Sequence, residues 1–390
     1  MKLLARELVL RYQCGRDAVP GFVTYVSRHD PVLMHCYGWQ DYSDAYDDYV
    51  ITISRDNGRT WSEPYLHWKS ETTGQGKVRY IEPAAFFDLD TEKLWAFTDR
   101  RLYPDDKLDV DEQGELVVES YDPCSNSWGP RQELTVAEGR VPSMSFCVPL
   151  KTSTGRLIVP GQCRLLDENG KPVHYRGCWS PAGTIVNLLG DYQADGSIAW
   201  SVSRAVLPDL ERTSRGHYEP TLAELPGGRL VMVLRGDNSM FPEKPGYKWV
   251  SFSEDQGDTW SDPEPVAFSD GQMIESGSNG SRLLRSEKSG KLYWMGNLCL
   301  PGERANGNMP RSSLSILQVQ EEPFAFMPET RWVIDEKNSN DSPDLMLSNF
   351  RCYQDRLTGD VVLYLSRLGE LGRPQWQQAD YYRYRIELDE

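Results

Sequence analysis

The sequence predicts an all-β chain: a six-bladed β-propeller of four-stranded antiparallel blades, with residues 1–390 as a single domain. Three observations predict it. Short runs of β-branched and aromatic residues, broken by Gly, Pro, Asn and Asp, fill almost the whole chain, and no amphipathic helix longer than about three turns interrupts them. A strand–turn–strand unit recurs six times, about 65 residues per repeat, which is room for one four-stranded sheet and its loops. Finally, "ARELVLRY" near the N-terminus and "YYRYRIEL" near the C-terminus each read as a strand without a hairpin of its own. The two together complete one blade, which closes the ring and hides its strand edges.

The six units follow in order. "GFVTYVSRHDPVLMHCYGW" from Gly21 is the first hairpin, continued by "DYVITIS". "EPAAFFDLDTEKLWAFTDR" from Glu82 is the second, continued by "ELVVESY". "SMSFCVPLKTSTGRLIVPGQCR" from Ser143 keeps the strand–turn–strand plan for the third. "EPTLAELPGGRLVMVLRGD" from Glu219 repeats the plan of the second: Glu-Pro, an apolar strand, a turn, an apolar strand, then Arg, with "KWVSFS" following. "GSRLLRSEKSGKLYWMGNL" from Gly280 with "SLSILQV" makes the fifth, and "SNFRCYQDRLTGDVVLYLSR" from Ser348 the sixth.

Composition bounds the partners. With 39% hydrophobic and 26% charged residues the chain can bury a large core. A net charge of −16 argues against nucleic acid or an anionic membrane surface, which recruit basic patches. No apolar run reaches the roughly 18 residues that span a bilayer. In "MKLLARELVLRYQCG" the charges of Arg6, Glu7 and Arg11 break up the apolar core a secretory signal needs. The chain as written is therefore expected in the cytoplasm, or outside it if a signal has been trimmed. The eight cysteines, among them Cys14, Cys36 and Cys147, form no C-x2-C pair and no zinc-ligand cluster with His, so buried free thiols are expected. No metal and no cofactor are expected. The acidic loop from Asp105 to Glu115 and the "GDYQADG" stretch lack the ordered ligand spacing of a calcium loop.

Two stretches nearly repeat each other: "ITISRDNGRTWSEP" from Ile51 and "VSFSEDQGDTWSDP" from Val250. Each places Ser-x-Asp-x-Gly-x-Thr-Trp after alternating apolar residues. Asp56 and Asp255 can accept backbone N–H bonds within a turn, Gly58 and Gly257 permit positive φ, and Trp61 and Trp260 can pack between neighbouring sheets. "DPCSNSWGP" at Asp122 and the stretch before Trp332 read as decayed copies. This is the Asp-box, and over nearly its whole length the chain resembles the sialidase-like, or BNR-repeat, propellers. The box is structural and sits between the third and fourth strands of a blade; chemistry belongs at the channel mouth, around the hairpins.

The resemblance implies particular residues. In sialidases a glutamate that polarises a nucleophilic tyrosine opens a stretch like "HYEPTLAELPGGRLVMVLR", and an arginine of a trio gripping the sugar carboxylate closes it. That marks Glu219 and Arg235, and Arg311 in "MPRSSLSILQV" resembles the third arginine. A guanidinium offers two parallel donors to a carboxylate. Two features depart from sialidases. The first blade reads "AVPGFVTY" where an Arg-Ile-Pro signature would stand, and "DSPDLMLSNF" holds no tyrosine. A true sialidase is therefore not the expectation.

The expected activity is an exo-acting glycoside hydrolase on an acidic or deoxy sugar. Glycoside hydrolysis uses two carboxyl groups, one protonating the leaving oxygen and the other acting as nucleophile or base. Glu219 with Glu82, its counterpart in the second blade, is the expected pair, and Asp99 is the substitute for either. Arg79 or Arg100 can stand in for the missing first-blade arginine, and His217 and Tyr218 flank Glu219. Trp39, Tyr42, Trp179 and Tyr247 are candidates for stacking on sugar rings. The alternatives are a non-catalytic carbohydrate-binding propeller and a lyase acting on uronic acids with His, Tyr and Arg. The expected partner is a glycan, and the oligomeric state stays open.

Overall fold

The computed structural model describes residues 1–12 and 16–388, so Cys14 lies outside it. The chain forms two compact units: residues 1–134, 287–289 and 337–390 in the first, and 135–286 with 290–336 in the second. Among the described residues each contains three antiparallel blade sheets, and the second also has a separate two-stranded pair, Gln162–Arg164 with Gly183–Ile185.

The first unit holds blades one, two and six. Blade one runs Asp17–Tyr25, Leu33–Tyr42, Ala45–Ser54 and Tyr65–Trp68, each strand paired with the next. Blade two is built on Gly76–Asp88, Lys93–Pro104 and Glu115–Asp122, with shorter strands outside them. Blade six joins Arg351–Gln354, Val361–Ser366 and Tyr381–Glu387 to Lys2–Leu10, so the two terminal strands share one sheet as expected. Middle strands are packed on both faces and read as near-continuous apolar runs: Val361–Ser366 is buried at every position, whereas the outer Lys2–Leu10 is mostly exposed. Met34, Tyr49, Trp68, Phe87 and Leu94 fill the core between blades one and two. Leu33, Tyr353, Val362 and Tyr381 do the same between blades six and one.

The second unit holds blades three, four and five. Blade four runs Tyr218–Glu224, Leu230–Arg235, Lys248–Ser253 and Glu264–Pro265. Blade five runs Arg282–Arg285, Leu292–Asn297 and Ser313–Glu321, with Phe324–Phe326 and Trp332–Glu336 both paired to the last of these. Blade three is the least regular. Its first strand is only Leu150–Lys151, because Phe146 adopts a φ of 54° and Pro149 lacks an N–H for the ladder. Ile158, Leu222 and Trp249 pack between blades three and four, and Val231, Trp294 and Phe326 between four and five.

Both Asp-boxes close the turn between third and fourth strands. Asp56 accepts hydrogen bonds from the Thr60 N–H at 2.8 Å, the Thr60 hydroxyl at 2.6 Å and the Ser54 hydroxyl at 2.8 Å. Asp255 accepts the same set from Thr259 and Ser253 at 2.9, 2.5 and 2.8 Å. Gly58 and Gly257 take φ of 78° and 90°, the left-handed region that glycine enters without strain. These hydrogen bonds hold the Asp56 carboxyl down at about 2.

Candidate active site

The innermost strands share a device that the sequence hides. Glu82 and Glu219 each sit at positive φ, 42° and 48°, immediately before a proline and at a register shift in the hairpin. Phe146 and Asn349 take φ of 54° and 60° near the start of blades three and six. A bulge of this kind re-aims one side chain out of the strand's alternation. Non-glycine residues in this region are strained, a condition that clusters at functional sites.

In the second unit the bulge turns Glu219 toward arginines. Its N–H donates to Gln162 Oε1 at 2.7 Å, and its Oε1 accepts from Arg235 Nη1. The Arg235 Nε donates to the Ser278 hydroxyl at 2.8 Å and its Nη2 to Asn308 Oδ1 at 2.9 Å. Arg311 donates through Nε to the Asn308 carbonyl at 2.9 Å and through Nη2 to the Ser278 carbonyl. Arg215 completes the group: its Nη1 reaches Asn308 Oδ1 at 3.4 Å and Asp237 at 3.7 Å, and its guanidinium lies 4.6 Å from the Trp179 ring. Three guanidiniums thus gather on one exposed asparagine, beside a tryptophan 57% exposed. The segment around Ser278 is tightly fitted, since a Cβ on Gly280 would stand 2.9 Å from Glu219 Oε2 and collide with the Phe146 ring.

The flanking residues have other surroundings. His217 is buried against Trp249, ring centres 5.2 Å apart, and burial holds its imidazole down at about 3, so it stays neutral and out of reach. Tyr218 is buried and donates its hydroxyl to the Pro181 carbonyl. Lys248, inside an apolar run and unmarked by any motif, lies fully buried opposite Arg235 on the adjacent strand.

In the first unit Glu82 is buried. Its Oε1 accepts from the Tyr46 hydroxyl at 3.1 Å, its N–H donates to the Tyr49 hydroxyl at 3.3 Å, and Arg351 Nη2 lies 3.9 Å from Oε1. Burial pushes both tyrosine hydroxyls well above their ordinary range. Asp99 is buried in the ladder between Ile81 and Leu116.

Arg79 and Arg100, expected to stand in for a first-blade arginine, have protein partners. Arg79 is fully buried and donates to Asp41 at 2.9 Å, Asp106 at 2.7 Å and the Tyr46 carbonyl at 2.7 Å. Arg100 pairs with Glu115 at 2.9 Å across the ladder on the surface. Among the aromatic candidates, Trp179 stands with the arginines, while Trp39 packs edge-on to Tyr37, Tyr247 packs edge-on to Trp249, and Tyr42 donates to the Asp106 carbonyl. No cluster of three or more His, Cys, Asp or Glu suited to a metal ion occurs among the described residues.

Comparison with known proteins agrees with the architecture. Residues 42–345 match a family described as "BNR repeat-like domain". A mutant of the NanB sialidase from Streptococcus pneumoniae superposes with a TM-score of 0.65 at 12% identity, covering 98% of this chain and 70% of that one. The intramolecular trans-sialidase from Ruminococcus gnavus gives 0.64 at 14% identity, covering 100% and 98%. The α-L-arabinanase of Penicillium chrysogenum gives 0.60 at 12%, covering 99% of both. At these identities the likeness is one of fold. A search of curated protein sequences gives no match.

Proposed function

The chain belongs to the BNR repeat-like domain family, and on that premise we propose that it is an exo-acting glycoside hydrolase whose substrate carries a carboxylate. The observation that carries this reading is the convergence of Arg215, Arg235 and Arg311 on Asn308 beside Glu219. Asn308 offers these guanidiniums two neutral oxygens where a sugar carboxylate would offer two charged ones. Charge-assisted forks of this type are worth roughly 1.5–3 kcal/mol each, enough to hold an anionic ring against the field of a chain at −16.

Glu219, held by Arg235, suits the role of an acceptor: a base, or the group that polarises a nucleophile. Glu82, hydrogen-bonded by Tyr46, is the second carboxyl candidate, and Asp99 the third. Similarity in fold to sialidases and an arabinanase supports a glycan substrate.

The test is release of monosaccharide from a panel of acidic and neutral glycans. Glu219→Gln should fold normally and lose at least about a hundredfold in turnover. An unchanged rate removes Glu219 from the mechanism. Wild type that binds glycans and releases no sugar makes the protein a carbohydrate-binding propeller instead.

A further inference from the structure

Lys248 has no task in that reading, and its surroundings are unusual for a lysine. It faces Arg235 directly in the ladder between Leu230–Arg235 and Lys248–Ser253, so the two basic side chains leave the same face of the sheet about 5 Å apart at Cβ. It is fully buried. Its Nζ donates to the Asn279 carbonyl and, at 2.9 Å, to Asn279 Oδ1. Both acceptors are neutral, and among the described residues no carboxylate pairs with it. The adjoining Ser278 is the residue that takes both Arg235 and Arg311, so one short segment ties all three cations together.

The charged and titratable groups facing Lys248 are Glu219 from the innermost strand, Arg235 from the next, Arg311 ahead of the Ser313–Glu321 strand, and the Cys299 thiol. Cys299 is pushed up to about 12, chiefly by burial, and stays neutral. Glu219 is engaged by Arg235. Nearby His217 is held at about 3 and takes up no proton in the physiological range. An ammonium at Lys248 would therefore be a third cation around one carboxylate, without water to solvate it.

We propose that Lys248 is a proton-linked positioning residue behind the arginines: it takes up a proton from solvent when a carboxylate binds at Arg235 and Arg311, and returns it on release. The inference rests on the acidic-sugar reading of this site. Burial, with Arg235 and Arg311 adding to it against Glu219, holds the free amine well below the ordinary lysine range. An anion arriving at the arginines favours the ammonium, raising that value in the complex. Protonation and anion binding then assist each other, so affinity rises as pH falls from the bound-state value to the free-state value and is flat below it. Wild type and Lys248→Met differ in charge behaviour but little in length.

The experiment is isothermal calorimetry with N-acetylneuraminic acid and with D-glucuronic acid, in paired buffers of different protonation enthalpy, from about pH 6 to about pH 9. Wild type should take up a substantial fraction of a proton per site somewhere in that range. Lys248→Met should bind more weakly and take up none. A purely structural lysine would move affinity or stability and leave proton uptake unchanged. Binding by wild type with no uptake at any pH overturns the inference alone, as does undiminished uptake in Lys248→Met. Should Lys248→Met not fold, Lys248→Arg, which stays charged throughout, must bind without uptake. Failure of both sugar acids to bind wild type overturns the acidic-sugar reading and the inference with it.

Discussion

Glu82 and Glu219 carry the same backbone in two different sheets: each takes positive φ before a proline, and each donates its N–H to a side chain from an earlier segment, Tyr49 Oη for one and Gln162 Oε1 for the other. A side chain in this region costs about 1 kcal/mol relative to glycine. Glu82→Gly should therefore be more stable than Glu82→Ala by about that amount in denaturant titrations, and the same order should hold at 219. Alanine variants as stable as the glycine ones would show the conformation to be unstrained.

The Asp-boxes give a pH signature. Asp56 is held at about 2 in the folded chain, below the ordinary carboxylate value near 3.9. Its contribution is thus complete above the ordinary value and is lost as pH falls through the folded one. Asp56→Asn should melt lower than wild type near neutrality, and the gap should narrow toward about pH 2. A gap that stays constant would place its origin outside the charged hydrogen bonds. Asp255→Asn should behave alike, and the folded fraction of each variant should keep its catalytic constants.

Arg235→Lys separates charge from geometry. Lysine keeps the positive charge but cannot reach Glu219, Ser278 and Asn308 together as the guanidinium does. Binding of a carboxylated sugar should weaken severalfold or more, and binding of the matching neutral sugar much less. Equal weakening of both would end the acidic-substrate reading.

Arg79→Met should act on stability alone. It leaves Asp41 and Asp106 without their buried partner, at a cost of about 2–3 kcal/mol because both carboxylates reach water. Urea titration should show this loss while KM of the folded enzyme stays unchanged. A raised KM at unchanged stability would return Arg79 to the site.

Gly280→Ala tests the fit around the carboxylate. The added methyl meets Glu219 Oε2 and the Phe146 ring, so the carboxylate must shift. Turnover should fall about tenfold or more while the fold persists. Unchanged turnover would mean that the position of Glu219 is not critical.

How far these features could be read in advance depended on how local they are. The boxes and the six hairpins are written in contiguous residues, so turn chemistry and alternation reveal them. Glu219 and Arg235 belong to one hairpin and were found together. Gln162, Ser278, Arg215 and Asn308 reach the cluster from blades three and five or from loops, and nothing within their own segments marks them. The partners of Arg79 are hidden for the same reason, since Asp41 and Asp106 lie on other segments. Lys248 sits in an apolar run where only its register against Arg235 gives it meaning.

The ladder joining Lys2–Leu10 to Tyr381–Glu387 has a consequence for the order of birth of the chain. Tyr381–Glu387 lies between Val361–Ser366 and Lys2–Leu10, so Lys2–Leu10, made long before, finds its place only after Tyr381–Glu387 has been made. Until then Leu3, Leu4, Leu8 and Val9, partly exposed even when folded, travel on an unpaired edge. Every other sheet can zip up from neighbouring segments during synthesis, but this one must wait for contacts spanning almost the whole chain, the slowest kind to form. A nascent chain stalled short of residue 381 would therefore carry its other sheets able to assemble and this one held open, a stage at which a chaperone or another nascent chain could pair with the waiting edge.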